Sequence, residues 1–196
     1  MSEIDEIRAF VAIELPADSK RGLASIIEGL KRQSAAPVKW VGVSGIHLTL
    51  KFLGQIPITR VEEIKRALAT ACAGTAPLRL GIATLGSFPG NSQPRVIWAG
   101  LSGDVGGLSE LASQIDVNLA SLGFPEESRP FTPHLTIGRV RPEAAPRARS
   151  ELGTAVLSAR QPRGLPFIAH SVSLMQSQLR PQGAVYTCLS SIPLQG

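Results

Sequence analysis

The sequence predicts an α+β fold with mostly antiparallel sheets, arranged as two similar lobes. Three observations predict it. Strand-like and helix-like segments interleave along 196 residues, a length that suits one domain, residues 1–196, or two small lobes sharing a core. Several strand pairs are joined by loops too short to hold a crossover helix, which favours antiparallel pairing. One phrase, His-Leu-Thr-aliphatic, occurs twice, as HLTL from His47 and HLTI from His134. Each copy has a helical segment before and after it, the pattern of an internal duplication.

Arg8 to Leu15 (RAFVAIEL) is dense in strand formers and stops at Pro16. Asp18 is placed to cap a helix through Arg32 that carries Leu23, Ile26, Ile27 and Leu30 on one face. Lys39 to Val43 is a short apolar stretch, and Ile46 to Leu53 reads as a strand. Thr59 is placed to cap a second helix, with Glu62 and Glu63 in its first turn and Gly74 near its end. Leu78 to Leu85 and Arg95 to Leu101 read as strands around the turn-rich loop SFPGNSQP. Asp104 to Gly107 leads into a third helix through Leu122, ending at Gly123. After the second HLT strand, residues 143–157 suggest a short helix. Ile168 to Gln176 and Ala184 to Ser191 form a closing strand pair around LRPQG.

Apolar residues make up 43% and charged residues 18%, the balance of a folded chain rather than a disordered one. The formal net charge of +5 favours an anionic partner such as a nucleotide or RNA. Cys72 and Cys188 lack the spacing of a zinc site or a disulfide framework. The N-terminus, MSEIDEIRAF, has no apolar signal core, and no run is long enough to span a membrane. A cytoplasmic, monomeric protein that needs no membrane and no cofactor is the simplest expectation.

Along a strand, residues i and i+2 share a face. By that parity His47, Thr49 and Lys51 share one face, while Leu48, Leu50 and Phe52 share an apolar face that should meet the core. In the second copy His134 and Thr136 face away from Leu135 and Ile137. Arg139 falls on the apolar parity unless the strand ends or bulges near Gly138. Two such strands side by side would bring two imidazoles and two hydroxyls across one groove. An unperturbed imidazole titrates near pH 6.5, so one can take a proton from water while the other gives one to a departing oxygen. Threonine hydroxyls can hold the non-bridging oxygens of a phosphoryl group. A cyclic phosphate, already activated, suits this set without a metal.

From these motifs outward the chain resembles the 2H phosphoesterase superfamily. More narrowly it is similar to the bacterial and archaeal RNA 2′,3′-cyclic phosphodiesterases, also called 2′-5′ RNA ligases, whose fold is LigT-like. The resemblance rests on RAFVAIELP, on Trp40 with His47 to Gly54 (HLTLKFLG), on SFPGNSQPRVIWAGL, on RPFTPHLTIGR and on SLMQSQLRPQGAVYTCLSSIPL. It implies a bilobal, pseudo-twofold fold with a V-shaped cleft between two antiparallel sheets and helices outside. It implies hydrolysis of a terminal ribose 2′,3′-cyclic phosphate to a 2′-phosphomonoester, and reversible, ATP-independent 2′-5′ joining. The near-symmetry of the motifs leaves donor and acceptor open. The resemblance assigns His47 as proton donor to O3′, His134 as the base that activates water, and Thr49 and Thr136 as phosphate-holding residues.

Arg139 is a candidate phosphate contact. Lys51 is read as a surface lysine, or as a source of positive potential in the cleft. Phe10, Phe131 and Tyr186 are read as packing residues that could stack a base. His170 lacks the following Leu-Thr and is read as a structural or surface histidine. Arg141, Arg147, Arg149, Arg160 and Arg163 are read as a solvated basic loop, with RNA guidance as the alternative. Two other functions compete. One is a non-catalytic RNA- or nucleotide-binding module that only holds a phosphate. The other is a metallohydrolase, disfavoured because neither HLT segment has an acidic neighbour.

Overall fold

The computed structural model describes residues 5–159, 162, 165–181 and 183–196. The elements are β1 (Glu6–Glu14), α1 (Ala17–Gln33), β2 (Val38–Trp40), β3 (His47–Pro57), α2 (Val61–Cys72), β4 (Leu78–Phe88), β5 (Val96–Gly103), α3 (Val105–Ala120), β6 (His134–Val140), α4 (Pro146–Ser158), β7 (Leu165–Ala169), β8 (Ser171–Arg180) and β9 (Gly183–Pro193). The strands run in the order β7-β4-β5-β6-β3-β1-β8-β9, every neighbouring pair antiparallel, with β2 added beside β6. Two four-stranded halves meet at β3 and β6, where a single residue pair, Leu48 with Leu135, joins them. The α+β, antiparallel expectation is met, with the strands joined in one nine-stranded sheet.

Alternation builds the two faces. On β1, Ala9, Val11 and Ile13 enter the main core with the buried faces of α1 and α2, while Phe10 and Ala12 join Met175 and Tyr186 in a small separate cluster. The helices cover the main-core face. The opposite face carries the histidines.

Local chemistry moves several boundaries. Asp18 does not cap α1: it lies in the first turn and pairs with Arg21, while Pro16 holds the cap position. Thr59 does not cap α2 either, because a single 3₁₀ turn, Ile58–Arg60, precedes the helix, though Glu62 and Glu63 do occupy its first turn. Asp104 stands before α3 but spends its carboxylate on the backbone N–H of Arg79 at 2.8 Å. Gly74 and Gly123 follow helix ends at φ of 77° and 88°, a region that favours glycine. The expected strand Ile168 to Gln176 is two strands. β7 pairs β4 in one half, β8 pairs β1 and β9 in the other, and the chain changes halves at His170. Alternation runs on through His170, so periodicity alone could not divide them.

Gly153 on α4 meets the loop between β4 and β5. A Cβ there would lie 1.7 Å from the carbonyl oxygen of Asn91. Gly→Ala inside a helix normally gains stability. Here Gly153→Ala should instead cost about 1–3 kcal/mol, since the obstruction is backbone. Thermal unfolding would register this as a lower Tm; an unchanged or raised Tm would contradict the contact.

Candidate active site

The Leu48–Leu135 pair sets the site. One step to either side in that register places His47 across from Thr136, and Thr49 across from His134. The two HLT phrases are therefore adjacent antiparallel strands about a local twofold, and the four expected site residues come together between the halves.

Both phrases also contain the same irregularity. Against β1, His47, Leu48 and Thr49 face Glu14, Ile13 and Ala12, but Val11 faces Lys51, so Leu50 is an extra residue. Against β5, His134, Leu135 and Thr136 face Gly100, Ala99 and Trp98, but Ile97 faces Gly138, so Ile137 is extra. Each phrase ends on a β-bulge, and a bulge inverts the parity of the residues beyond it. Arg139 is thereby turned outward and is exposed, as the bulge alternative required.

The first copy departs from the expected parity for the same reason. Lys51 neither reaches the cleft nor lies on the surface. It is 3% exposed, and its ammonium donates to the Asp116 carboxylate and, at 2.7 Å, to the Pro125 carbonyl. Phe52, expected in the core, is 61% exposed, with its ring 6.3 Å from that of Phe10.

The two histidines are held alike. Nδ1–H of His47 donates to the carbonyl of Gly45 at 2.8 Å, and Nδ1–H of His134 to that of Thr132 at 2.7 Å. A carbonyl only accepts, so each bond keeps the proton on Nδ1 and leaves Nε2 to exchange protons. The rings are packed differently. Phe10 lies 4.6 Å from His47, with Tyr186 edge-on at 4.9 Å, whereas Phe88 meets His134 edge-on at 5.2 Å. The His47 imidazole is held below its ordinary value, chiefly by burial. The Gly45 carbonyl opposes that, the charge of Lys20 adds to it, and Glu14 opposes it.

Tyr186 and Phe10 thus flank His47, while Phe131 packs against the main core. His170 is exposed where β7 passes to β8, and its carbonyl accepts from Leu194 N–H at 2.8 Å. In the basic stretch, Arg149 is a structural clamp that donates to the carbonyls of Pro94, Arg141, Pro142 and Ala144 at 2.9–3.1 Å. Arg147 pairs with Glu151, and Arg141 lies 4.0 Å from Glu143. Arg160 and Arg163 lie outside the described residues. Sequence reasoning missed Phe88 and Trp98. Trp98 faces Thr136 across the strand pair, and its Nε1–H is buried without a partner among the described residues. Cys72 is buried on α2, where burial raises its thiol to about 11, and Cys188 is exposed on β9.

The model of the LigT-like phosphoesterase family matches the chain twice, at residues 13–98 and 101–186, one HLT phrase in each match. The chain belongs to the LigT-like phosphoesterase family. A curated relative from Methanothermobacter thermautotrophicus, an RNA 2′,3′-cyclic phosphodiesterase, is 31% identical over 93% of this chain and 96% of its own. One of the same description from Aquifex aeolicus is 28% identical over 97% and 98%. The solved structure of a Thermus thermophilus protein superposes with a TM-score of 0.78 at 26% identity, covering 97% of this chain and 99% of that one. Escherichia coli LigT superposes equally well, at 0.78 and 24% identity over 98% and 100%, a likeness of fold. By its family this LigT-like chain is a hydrolase of phosphoesters. None of its described helices is long and apolar enough to cross a membrane.

Proposed function

We propose that this phosphoesterase hydrolyses the ribose 2′,3′-cyclic phosphate at an RNA end, or on a nucleoside, to a 2′-phosphomonoester, with no metal. The observation that carries the reading is the Leu48–Leu135 register, which sets two Nδ1-anchored imidazoles and two threonines about one twofold. In the reaction Nε2 of His134 takes a proton from water as its oxygen bonds to phosphorus. The P–O3′ bond breaks, and Nε2–H of His47 gives its proton to O3′. Thr49 and Thr136 donate to the non-bridging oxygens, and Arg139 contacts substrate phosphate. The direction of transfer, His47 as donor and His134 as acceptor, rests on the family resemblance. A 5′-hydroxyl in place of water would give a 2′-5′ linkage by the same bond changes, without ATP. The name shared by the full-length relatives supports the substrate class. One domain of two similar lobes in a cytoplasmic monomer completes the reading; the two family matches support the duplication.

The pH profile tests it. A donor must be protonated, and burial lowers the His47 pKa in the free enzyme. Protonated His47 is therefore lost as pH rises through a value below 6.5, so kcat/KM should fall on the alkaline side from there. A bound phosphodiester anion favours the imidazolium, so the alkaline limb of kcat should lie at higher pH. Both profiles should be bells and unmoved by excess chelator. A monotonic profile, or activity lost to chelator and restored by metal, would overturn the proposal.

A further inference from the structure

The face that carries His134 and Thr136 continues along β6 to Arg139, and β2 lies beside it there. Lys39 is the residue directly opposite Arg139 in the β2–β6 pairing. On the neighbouring positions Val38, Trp40 and Val140 turn to the main core, so Lys39 and Arg139 both project on the histidine face, where both are exposed. Like charges directly opposite in an antiparallel pair repel and destabilise it. No carboxylate relieves this pair: neither side chain makes an ion pair or hydrogen bond among the described residues. At about 3.3 Å per residue, Arg139 is less than about 10 Å along β6 from Thr136. That is a short step for the next phosphate of a chain whose terminal phosphate lies between the threonines.

We infer that Lys39 and Arg139 form a second phosphate subsite, which takes the internucleotide phosphate adjoining the cyclic end. The inference rests on the phosphodiesterase reading and narrows its substrate class to an oligonucleotide, in preference to an isolated nucleoside cyclic phosphate. Lys39 supplies a point charge and Arg139 a planar fork, a pair that can grip one phosphate from two sides.

Binding tests it without requiring turnover. The probe is a 5′-labelled short RNA ending in a 2′-phosphate, followed by fluorescence anisotropy between 50 and 200 mM salt, with a nucleoside 2′-phosphate as competitor. Lys39→Ala should weaken oligonucleotide binding about 5- to 10-fold at low salt. It should also flatten the slope of log Kd against log salt by about 0.7, one single-strand phosphate contact. The advantage of oligonucleotide over nucleoside phosphate should shrink by the same factor. Lys39→Arg should restore it, and Arg147→Ala, which removes an exposed cation already paired with Glu151, should change nothing. The Tm of Lys39→Ala should hold or rise, because a repulsion is removed. An unchanged slope, an equal change in Arg147→Ala, or equal losses for both ligands would overturn the subsite. If wild type bound the oligonucleotide as described but turned over no cyclic phosphate, the activity would fall and the subsite would stand.

Discussion

Replacing His134 or His47 with alanine should lower kcat for a cyclic-phosphate RNA by about 10²–10⁴-fold, the range of a positioned acid or base. The double variant should be little worse than either single one, because acid and base act as a unit on one phosphorus. The local geometry explains why neighbours cannot substitute. Each imidazole is anchored through Nδ1 to the carbonyl two residues before it, and the third histidine, His170, lies exposed where β7 passes to β8. KM should change less than kcat, since the threonines and Arg139 remain. Steady-state kinetics decide the matter. A single variant within tenfold of wild type, or losses that multiply in the double variant, would show that the two rings do not work together.

The second large effect is on stability. Lys51 and Asp116 form an ion pair whose side chains are 2% and 20% exposed, joining β3 to α3. The lysine also satisfies the Pro125 carbonyl, and the carboxylate accepts from Glu127 N–H at 3.0 Å. Lys51→Ala removes one partner and leaves the other charge partly buried. Its cost should be about 3 kcal/mol, the low end for a broken buried pair because Asp116 keeps some water. Asp116→Asn, which keeps an acceptor, should cost less. Urea unfolding would show the loss as a lower midpoint at unchanged slope. A loss below about 1 kcal/mol would place the pair in the class of screened surface bridges.

Lys51 also marks how far the sequence can be read. The pairing of the two phrases was legible, because repetition with equal parity is visible in one dimension. So was the outward turn of His47, Thr49, His134 and Thr136, which depends only on alternation up to the fourth residue. Beyond that residue alternation fails, since Leu50 and Ile137 are bulged. A bulge is a property of two strands together, and nothing in LKFL or IGRV displays it alone. Hence Lys51 and Phe52 exchanged faces against expectation, while Arg139 came out on the side its chemistry required. The helix starts erred for a related reason. Asp18 is a good cap residue by type, but it lies in the first turn of α1, where Arg21 takes its carboxylate, and Thr59 falls in the 3₁₀ turn before α2. The division of β7 from β8 is a matter of which half each strand joins, and long-range pairing leaves no local trace.

In the proposed reaction one twofold site, with two imidazoles and no metal, opens a cyclic phosphodiester by expelling O3′. Phosphorus NMR of a nucleoside 2′,3′-cyclic phosphate turning over in excess chelator tests it most directly. The cyclic resonance should be replaced by that of the 2′-phosphomonoester alone, and in ¹⁸O-labelled water one labelled oxygen should enter each product phosphate. A 3′-phosphate, a mixture of isomers, or a cyclic resonance that persists while the protein binds the compound would contradict it.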